Sequence, residues 1–504
     1  MMIAVNAQKL FRIRGGVHPK ENKHATAGSG IVDAPIPEKL YIPLQQHIGA
    51  AAEPIVRRGM KVLKGELLAS SQGVVSAPVH APTSGTIASI GKYPAPHPSG
   101  LPVLTITLES DGEDRWMELP PENFDPLSLA PETIAGQVAA AGIVGMGGAT
   151  FPSAVKLNLR KRFKLHTLVI NAAECEPYLT CDDQLMREQT DGIIEGIRLM
   201  MRALQVTKAI VAIEANKPEA CAAMAKAAAA FYEITVMTVP VRYPMGSEKH
   251  LVQTLTGKET PSRALTADLG IVVHNVATAN AVHHAVRYGK PLISRVVTVS
   301  GGAINKPGNV HAMIGTPVAE LIGFCGGFTE QPARIIGGGP MMGQPLPETR
   351  VPIVKGSGGI LALTEQEIVN KQAMPCIRCG SCVNACPCGL LPLEMASRAR
   401  IGDYDAAVDF GLMDCISCGS CSYVCPSHIP LVQYFSHAKG ALTELQRKQH
   451  RQEETRRLAE TRTARMAALK QAKRAAMEKR KKEMAAKKAA EKAAEQAKRS
   501  QAGA

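Results

Sequence analysis

The chain is poor in aromatic residues, which make up 4% of its 504 positions, and it holds a single Trp. No run of about 20 apolar residues occurs, so no membrane-spanning helix is expected. The Ala/Gly-rich segment 134–149 is too short and too weakly apolar to be one. The first ten residues lack an apolar run, and charges arrive early at Lys9, Arg12 and Arg14, so no secretory signal is expected. Without export, the 13 cysteines argue against a disulfide framework. Nine of the 13 fall between Cys376 and Cys425, and that crowding points to metal.

Charge is unevenly spread. The net +14 includes 19 Lys and Arg against 8 Asp and Glu from Gly440 to Ala504, so the core is nearly neutral. The tail has no Gly or Pro between Leu442 and Gly503, and its Ala, Lys, Arg, Glu and Gln favour helix. It carries no sustained apolar seam for a coiled coil. It also lacks aromatic interleaving and any nucleic-acid fold signature, so no nucleic-acid partner is expected. An anionic membrane surface or an acidic protein partner fits better, and a solvated helix is the plain alternative.

Residues 1–37 read as loop. Short apolar runs broken by Gly and Pro over 39–107 predict a small β-barrel or sandwich. From 131 to 289, apolar strands at 165–171, 208–214, 234–239 and 269–274 alternate with helices at 190–204 and 217–232, the pattern of a mostly parallel α/β domain. Short strands return over 294–345. The cysteines follow on short helices over 364–434, and the basic tail closes the chain.

An internal repeat is the strongest signal. Cys376, Cys379, Cys382 and Cys386-Pro387 recur 39 residues later as Cys415, Cys418, Cys421 and Cys425-Pro426. Each copy is the C-x2-C-x2-C-x3-C-P run of bacterial ferredoxins. Three closely spaced thiolates can wrap one face of an iron–sulfur cube, while the fourth reaches the neighbouring cube. One [4Fe–4S] cluster is therefore expected on Cys376, Cys379, Cys382 and Cys425, and the other on Cys386, Cys415, Cys418 and Cys421. Paired zinc sites would usually show separated C-x2-C pairs instead. Cys388 falls outside both sets, as a spare or a substitute ligand.

Within the α/β region, Gly142-Ile-Val-Gly145-Met-Gly147-Gly148-Ala-Thr150-Phe151-Pro152 is a glycine-rich loop followed by Lys156. Such a loop can bring backbone N–H groups to a phosphate, although many are simple turns. Three polar segments follow predicted strands: Asn171-Ala-Ala-Glu174-Cys-Glu176-Pro177, Tyr243-Pro-Met-Gly246-Ser247-Glu248 and His274-Asn275-Val-Ala-Thr278. The carboxyl ends of strands are where α/β sheets bind ligands; polar loop capping is the plain reading of any one segment alone.

These segments resemble the FMN/NADH-binding subunit of respiratory complex I. The barrel pattern before them resembles the biotinyl/lipoyl-like barrel without its Met-Lys-Met modification site. The segment from 297 to 345 resembles the SLBB β-grasp domain. The whole order over about residues 10–435 resembles the C-subunit family (RnfC) of the Rnf/Rsx ion-translocating electron transport complex. The resemblance implies a multidomain α/β fold: a barrel-sandwich domain (1–120), a Rossmann-like FMN/NADH domain (121–290), an SLBB β-grasp domain (291–350), a helical two-cluster ferredoxin domain (364–435) and a basic helical or disordered tail (440–504).

It implies non-covalent FMN, with Gly145, Gly147, Gly148 and Lys156 at the phosphate side. Asn171, Glu174, Glu248, Asn275 and Thr278 would surround the isoalloxazine and ribityl chain, and Phe151 and Glu176 would meet NAD(H). It further implies a peripheral protein on the cytoplasmic face of a bacterial inner membrane, working with other subunits that include a ferredoxin-like one. The sequence departs from the complex I pattern at Thr150, Ala154, Ala173, Ser247 and His274. Two other readings stay open: a soluble flavin/iron–sulfur corrinoid reductase, and an electron-relay scaffold without flavin.

Overall fold

The computed structural model describes residues 9–501 apart from Pro98, Phe124 and Asn370. The loop expected over the first eight residues and the last three residues of the tail lie outside the described residues. Residues 1–435 form one compact unit and 436–504 a second.

In the N-terminal part, strands Lys39–Pro43, Pro102–Ser110, Gly85–Pro94 and Lys61–Val62 make an antiparallel sheet. A three-stranded sheet accompanies it, from Glu53–Pro54, Leu67–Ser70 and Val79–His80. Leu40, Ile42, Leu68, Val79, Ile87, Ile106 and Leu108 fill one core between them. Side chains alternate across a strand, so these short runs each give the core only a few residues, and the closed arrangement buries them.

The central domain holds a four-stranded parallel sheet in the order Ile234–Val239, Lys208–Glu214, Thr167–Ala172, Ile271–Asn275. The strands are apolar almost throughout, as expected where helices cover both faces. One face packs against helices Pro131–Ala140, Thr190–Leu204 and Val276–Tyr288, with Ile193, Ile197, Met200 and Val282 in that core. The other face packs against helix Glu248–Thr256 through Leu251, Val252 and Leu255. The helix expected over 217–232 is shorter, Pro218–Ala228. Pro218 suits a helix start, and its fixed φ explains the sharp boundary.

The third sheet has six strands, two of them from outside 291–350: Ile31–Asp33 pairs in parallel with Gly308–Met313, and Gly359–Leu363 lies between Ser294–Ser300 and Arg334–Gly337. The cysteine region carries short helices Ser381–Ala385, Pro392–Arg400, Tyr404–Asp409 and Ser420–Tyr423. The last helix, Leu431–Gln501, runs for 71 residues. Leu445, Leu458, Met466, Leu469, Met477 and Met484 on it are exposed, in keeping with the missing apolar seam. No described helix is long and apolar enough to cross a membrane.

Candidate flavin and iron–sulfur sites

The glycine loop is a tight return. Gly145 N–H donates to the Phe151 carbonyl at 2.8 Å, and Ser153 N–H to the Ile143 carbonyl at 3.0 Å. The turn leaves Gly147 and Gly148 exposed at its tip. Met146 N–H donates to the Thr278 hydroxyl at 2.9 Å, pinning the loop to the start of helix Val276–Tyr288. Asn275 caps that helix by accepting from Ala277 N–H at 2.9 Å, and its Nδ2 donates to Asp182 Oδ2 at 2.6 Å. Glu174 in turn accepts from Asp182 N–H at 2.7 Å and Asp183 N–H at 3.2 Å, capping helix Cys181–Glu188. Asn171 Nδ2 donates to the Gly246 carbonyl at 2.7 Å. Lys156 Nζ donates to Glu248 Oε2 at 2.9 Å and to the Val273 carbonyl at 3.0 Å.

These contacts gather the polar motif residues at the carboxyl ends of Thr167–Ala172 and Ile271–Asn275: the Met146 N–H on Thr278, Asn275 joined through Asp182 to Glu174, Lys156 on Glu248, Asn171 on the Gly246 carbonyl, and Gly147 against Asn275. Glu174 and Asn275 spend their side chains on helix starts. The motif positions therefore also build the scaffold, a role their polarity alone does not reveal. Gly148, at φ +100, has no atom within 4 Å of where a Cβ would stand, so its backbone is open to a ligand. His274 is buried, and its Nε2 has no hydrogen-bond partner among the described residues. Burial, with Lys156 nearby, holds its pKa down to about 3, so the ring is neutral. An exposed glycine backbone, a lysine and an unpartnered neutral donor/acceptor suit a flavin phosphate and its polar chain.

Glu176 faces the other way. Its Oε2 accepts from Met341 N–H at 3.0 Å, and its Oε1 lies 3.3 Å from the Tyr243 hydroxyl. Burial pushes its pKa up to about 7. Gly339 backs onto it so closely that a Cβ there would overlap Glu176 Oε2. Sequence reasoning assigns no role to Tyr243 or to the 339–341 turn. Tyr243 stands inside one of the motifs singled out, whereas the turn carries no signal that local patterning can reveal.

The two cysteine runs share the same turn at their first cysteines. Arg378 and Ser417, in matching positions, sit at φ +54 and +56. Arg378 N–H donates to Cys376 Sγ and Ser417 N–H to Cys415 Sγ, each at 3.4 Å. Cys379 Sγ lies 3.4 Å from Ser381 Oγ, and Cys418 Sγ lies 3.4 Å from Ser420 Oγ. N–H groups turned toward sulfur are what an iron–sulfur cube uses.

Cys386, Cys415, Cys418 and Cys421 line one cavity with Leu390 and Phe435. Cys386, the fourth cysteine of the first run, thus lines the same cavity as three cysteines of the second. Cys388 also lines this cavity, 4.0 Å from His250 Nε2, and so is part of the wall. A hydrogen bond from Cys388 is the main cause that lowers the Cys386 pKa to about 6. Cys418 and Cys421 are buried, whereas Cys376 and Cys379 are exposed and Cys382 and Cys425 are partly so. The cavity is the inner site, and the run over 376–382 is the outer, more exposed one.

Three segments clasp the inner site. Tyr243 OH donates to the Cys418 carbonyl at 2.7 Å, Gly16 N–H to the Ala385 carbonyl at 2.9 Å, and Met341 O packs where a Cβ on Gly419 would meet it at 2.8 Å. The N-terminal segment also seats Lys23, whose Nζ donates to the carbonyls of Glu174, Glu176 and Leu179.

A glycine loop and polar side chains at the carboxyl ends of a parallel sheet, with a cavity lined by four cysteines of a repeated ferredoxin-type run, define a flavin and iron–sulfur electron-transfer protein. Residues 138–284 match the Nuo51 FMN-binding domain, 11–113 the RnfC barrel sandwich hybrid domain, 296–345 the SLBB domain and 375–429 the 4Fe-4S dicluster domain. The chain is 60% identical over 441 residues to the C subunit of the ion-translocating oxidoreductase complex of Rhodobacter capsulatus, covering 87% of this chain and 85% of that one. It is 46% identical to the C subunit of the proton-translocating ferredoxin:NAD(+) oxidoreductase complex of Clostridium ljungdahlii, covering 85% and 94%. An NAD+-reducing [NiFe]-hydrogenase structure is similar over 63% of this chain and 61% of that one, at 19% identity and a TM-score of 0.45.

The chain belongs to the RnfC family, the C subunits of ion-translocating oxidoreductase complexes. Its cofactors are FMN and two [4Fe–4S] clusters, and other subunits of the complex are its partners.

Proposed function

We propose that this chain is the NAD(H)-reactive subunit of its complex, passing electrons between NAD(H) and two clusters and on toward ferredoxin-like and membrane partner subunits. The observation that carries this reading is the contact through Tyr243. One side chain touches both Glu176, which the resemblance assigns to NAD(H), and the carbonyl of Cys418 in the inner cysteine run. FMN, when bound, supplies the exchange between a two-electron carrier and one-electron carriers.

Gly145, Gly147, Gly148 and Lys156 hold the phosphate side. Asn171, Glu174, Glu248, Asn275 and Thr278 shape the pocket around the ring and chain. Phe151 and Glu176 meet the nicotinamide. Cys386, Cys415, Cys418 and Cys421 hold the inner cluster, and Cys376, Cys379, Cys382 and Cys425 the outer. The exposed outer run, with Val369, Met374 and Ile377 also exposed near it in sequence, is where a ferredoxin-like partner docks. The chain works at the cytoplasmic face of a bacterial inner membrane, without a nucleic-acid partner. Its domains are read as 1–120, 121–290, 291–350 and 364–435, with the basic tail over 440–504.

An anaerobic titration of the reconstituted chain with NADH tests this. Bleaching of flavin and cluster absorbance together is expected. Clusters that ignore NADH in a chain that takes up no flavin would leave only an electron relay.

A further inference from the structure

Tyr243 is 2% exposed, and its hydroxyl has one proton and two oxygen neighbours. The Cys418 carbonyl can only accept, so at 2.7 Å the hydroxyl donates there. Glu176 Oε1, at 3.3 Å, is a second and more distant acceptor for the same hydroxyl, and the Met341 N–H fixes the other oxygen of that carboxyl. The phenol is thus aimed at the cluster loop. The matching carbonyl of the outer run, on Cys379, receives no side-chain hydrogen bond among the described residues.

A donor on the peptide of a cluster ligand draws negative charge away from the cluster and favours its reduced form. Hydrogen bonding and local charge set cluster potentials over a wide range. Besides their different burial and packing, the two runs differ in that a side-chain hydroxyl donates to the peptide of a ligand in only one of them among the described residues.

We propose that Tyr243 is a positioning residue that raises the reduction potential of the inner cluster through its hydrogen bond to Cys418. Through Glu176 Oε1, its second acceptor, the same hydroxyl also links the Glu176 carboxyl, and with it the 339–341 turn, to the cluster loop. The inner cluster then accepts electrons from the flavin side more readily than its ligands alone would allow. This rests on the assignment of two clusters given above.

The test is a redox titration of the full-length, anaerobically reconstituted chain, following both clusters by electron paramagnetic resonance. Tyr243→Phe keeps the ring and removes the donor. It is expected to lower one of the two midpoint potentials and leave the other in place. Replacement of Tyr243 by 3-fluorotyrosine makes a stronger donor and is expected to raise that same potential. It decides the matter even if the Phe variant assembles poorly. Two potentials that stay fixed in the fluorotyrosine protein, or that move together, overturn the inference. A wild-type chain that holds no pair of clusters would instead overturn the cluster assignment.

Discussion

Asp182 and Glu174 place two carboxyl groups at one buried corner of the flavin pocket, with Cys181 Sγ within 4.8 Å of a carboxylate oxygen of each. Burial first, then the Glu174 charge, pushes the Asp182 pKa up to about 7. In the unfolded chain it returns to about 3.9. Between those values the folded state binds more protons, so this group's contribution to stability falls as pH rises through the window. Asp182→Asn removes that cost. In thermal unfolding of the cofactor-free chain it should be more stable than wild type by roughly 1–3 kcal/mol at pH 8, with the difference gone below about pH 4. An advantage over wild type that is no larger at pH 8 than at pH 4 would show that Asp182 is not held neutral. At this scale the sequence is half legible. The motif residues are visible as polar groups after strands, but which of them cap a helix and which face a ligand depends on helix starts that no spacing encodes.

The two cysteine runs are near copies as elements, yet their surroundings differ. Gly380 and Gly419 hold matching left-handed positions, at φ +75 and +82. Around Gly380 no atom comes within 4 Å of a Cβ, whereas at Gly419 the Met341 carbonyl stands 2.8 Å away. Gly380→Ala should cost only the backbone term, about 1–2 kcal/mol, and keep both clusters. Gly419→Ala must also push the 339–341 turn off Glu176, so it should lose the inner cluster, read as half the iron per chain. Equal iron in the two variants would show that the clasp does not matter. The repeat itself and the ligand types are open to a sequence reader, because ligand spacing is local. The six-stranded sheet is not, because Ile31–Asp33 and Gly359–Leu363 reach it from distant parts of the chain.

Over the whole molecule, charge is concentrated in the final helix while the cofactor sites lie in residues 1–435. A polybasic helix is attracted to anionic lipid by roughly 1 kcal/mol per basic residue near the surface, and the attraction is screened by salt. The full-length chain should therefore sediment with phosphatidylglycerol vesicles at about 0.1 M salt and be released at about 1 M, where the Debye length falls to about 3 Å. Neutral phosphatidylcholine vesicles should not retain it. Equal retention by both, or retention that ignores salt, would remove the tail as a membrane contact.

By itself the sequence determined the chemistry of this protein: cysteine spacing specifies cuboidal clusters, and apolar runs alternating with helices specify a parallel sheet with ligands at its strand ends. Those signals are local, so they survive being read one segment at a time. Only the tertiary structure decided which cluster is inner, that Tyr243 and the 339–341 turn stand between it and Glu176, and that Lys23 is seated on the Glu174–Leu179 loop. The contacts of Lys23 with Glu174, Tyr243 with Cys418 and Met341 with Glu176 join residues 151, 175 and 165 positions apart. Close packing, which no single segment encodes, brings such residues together.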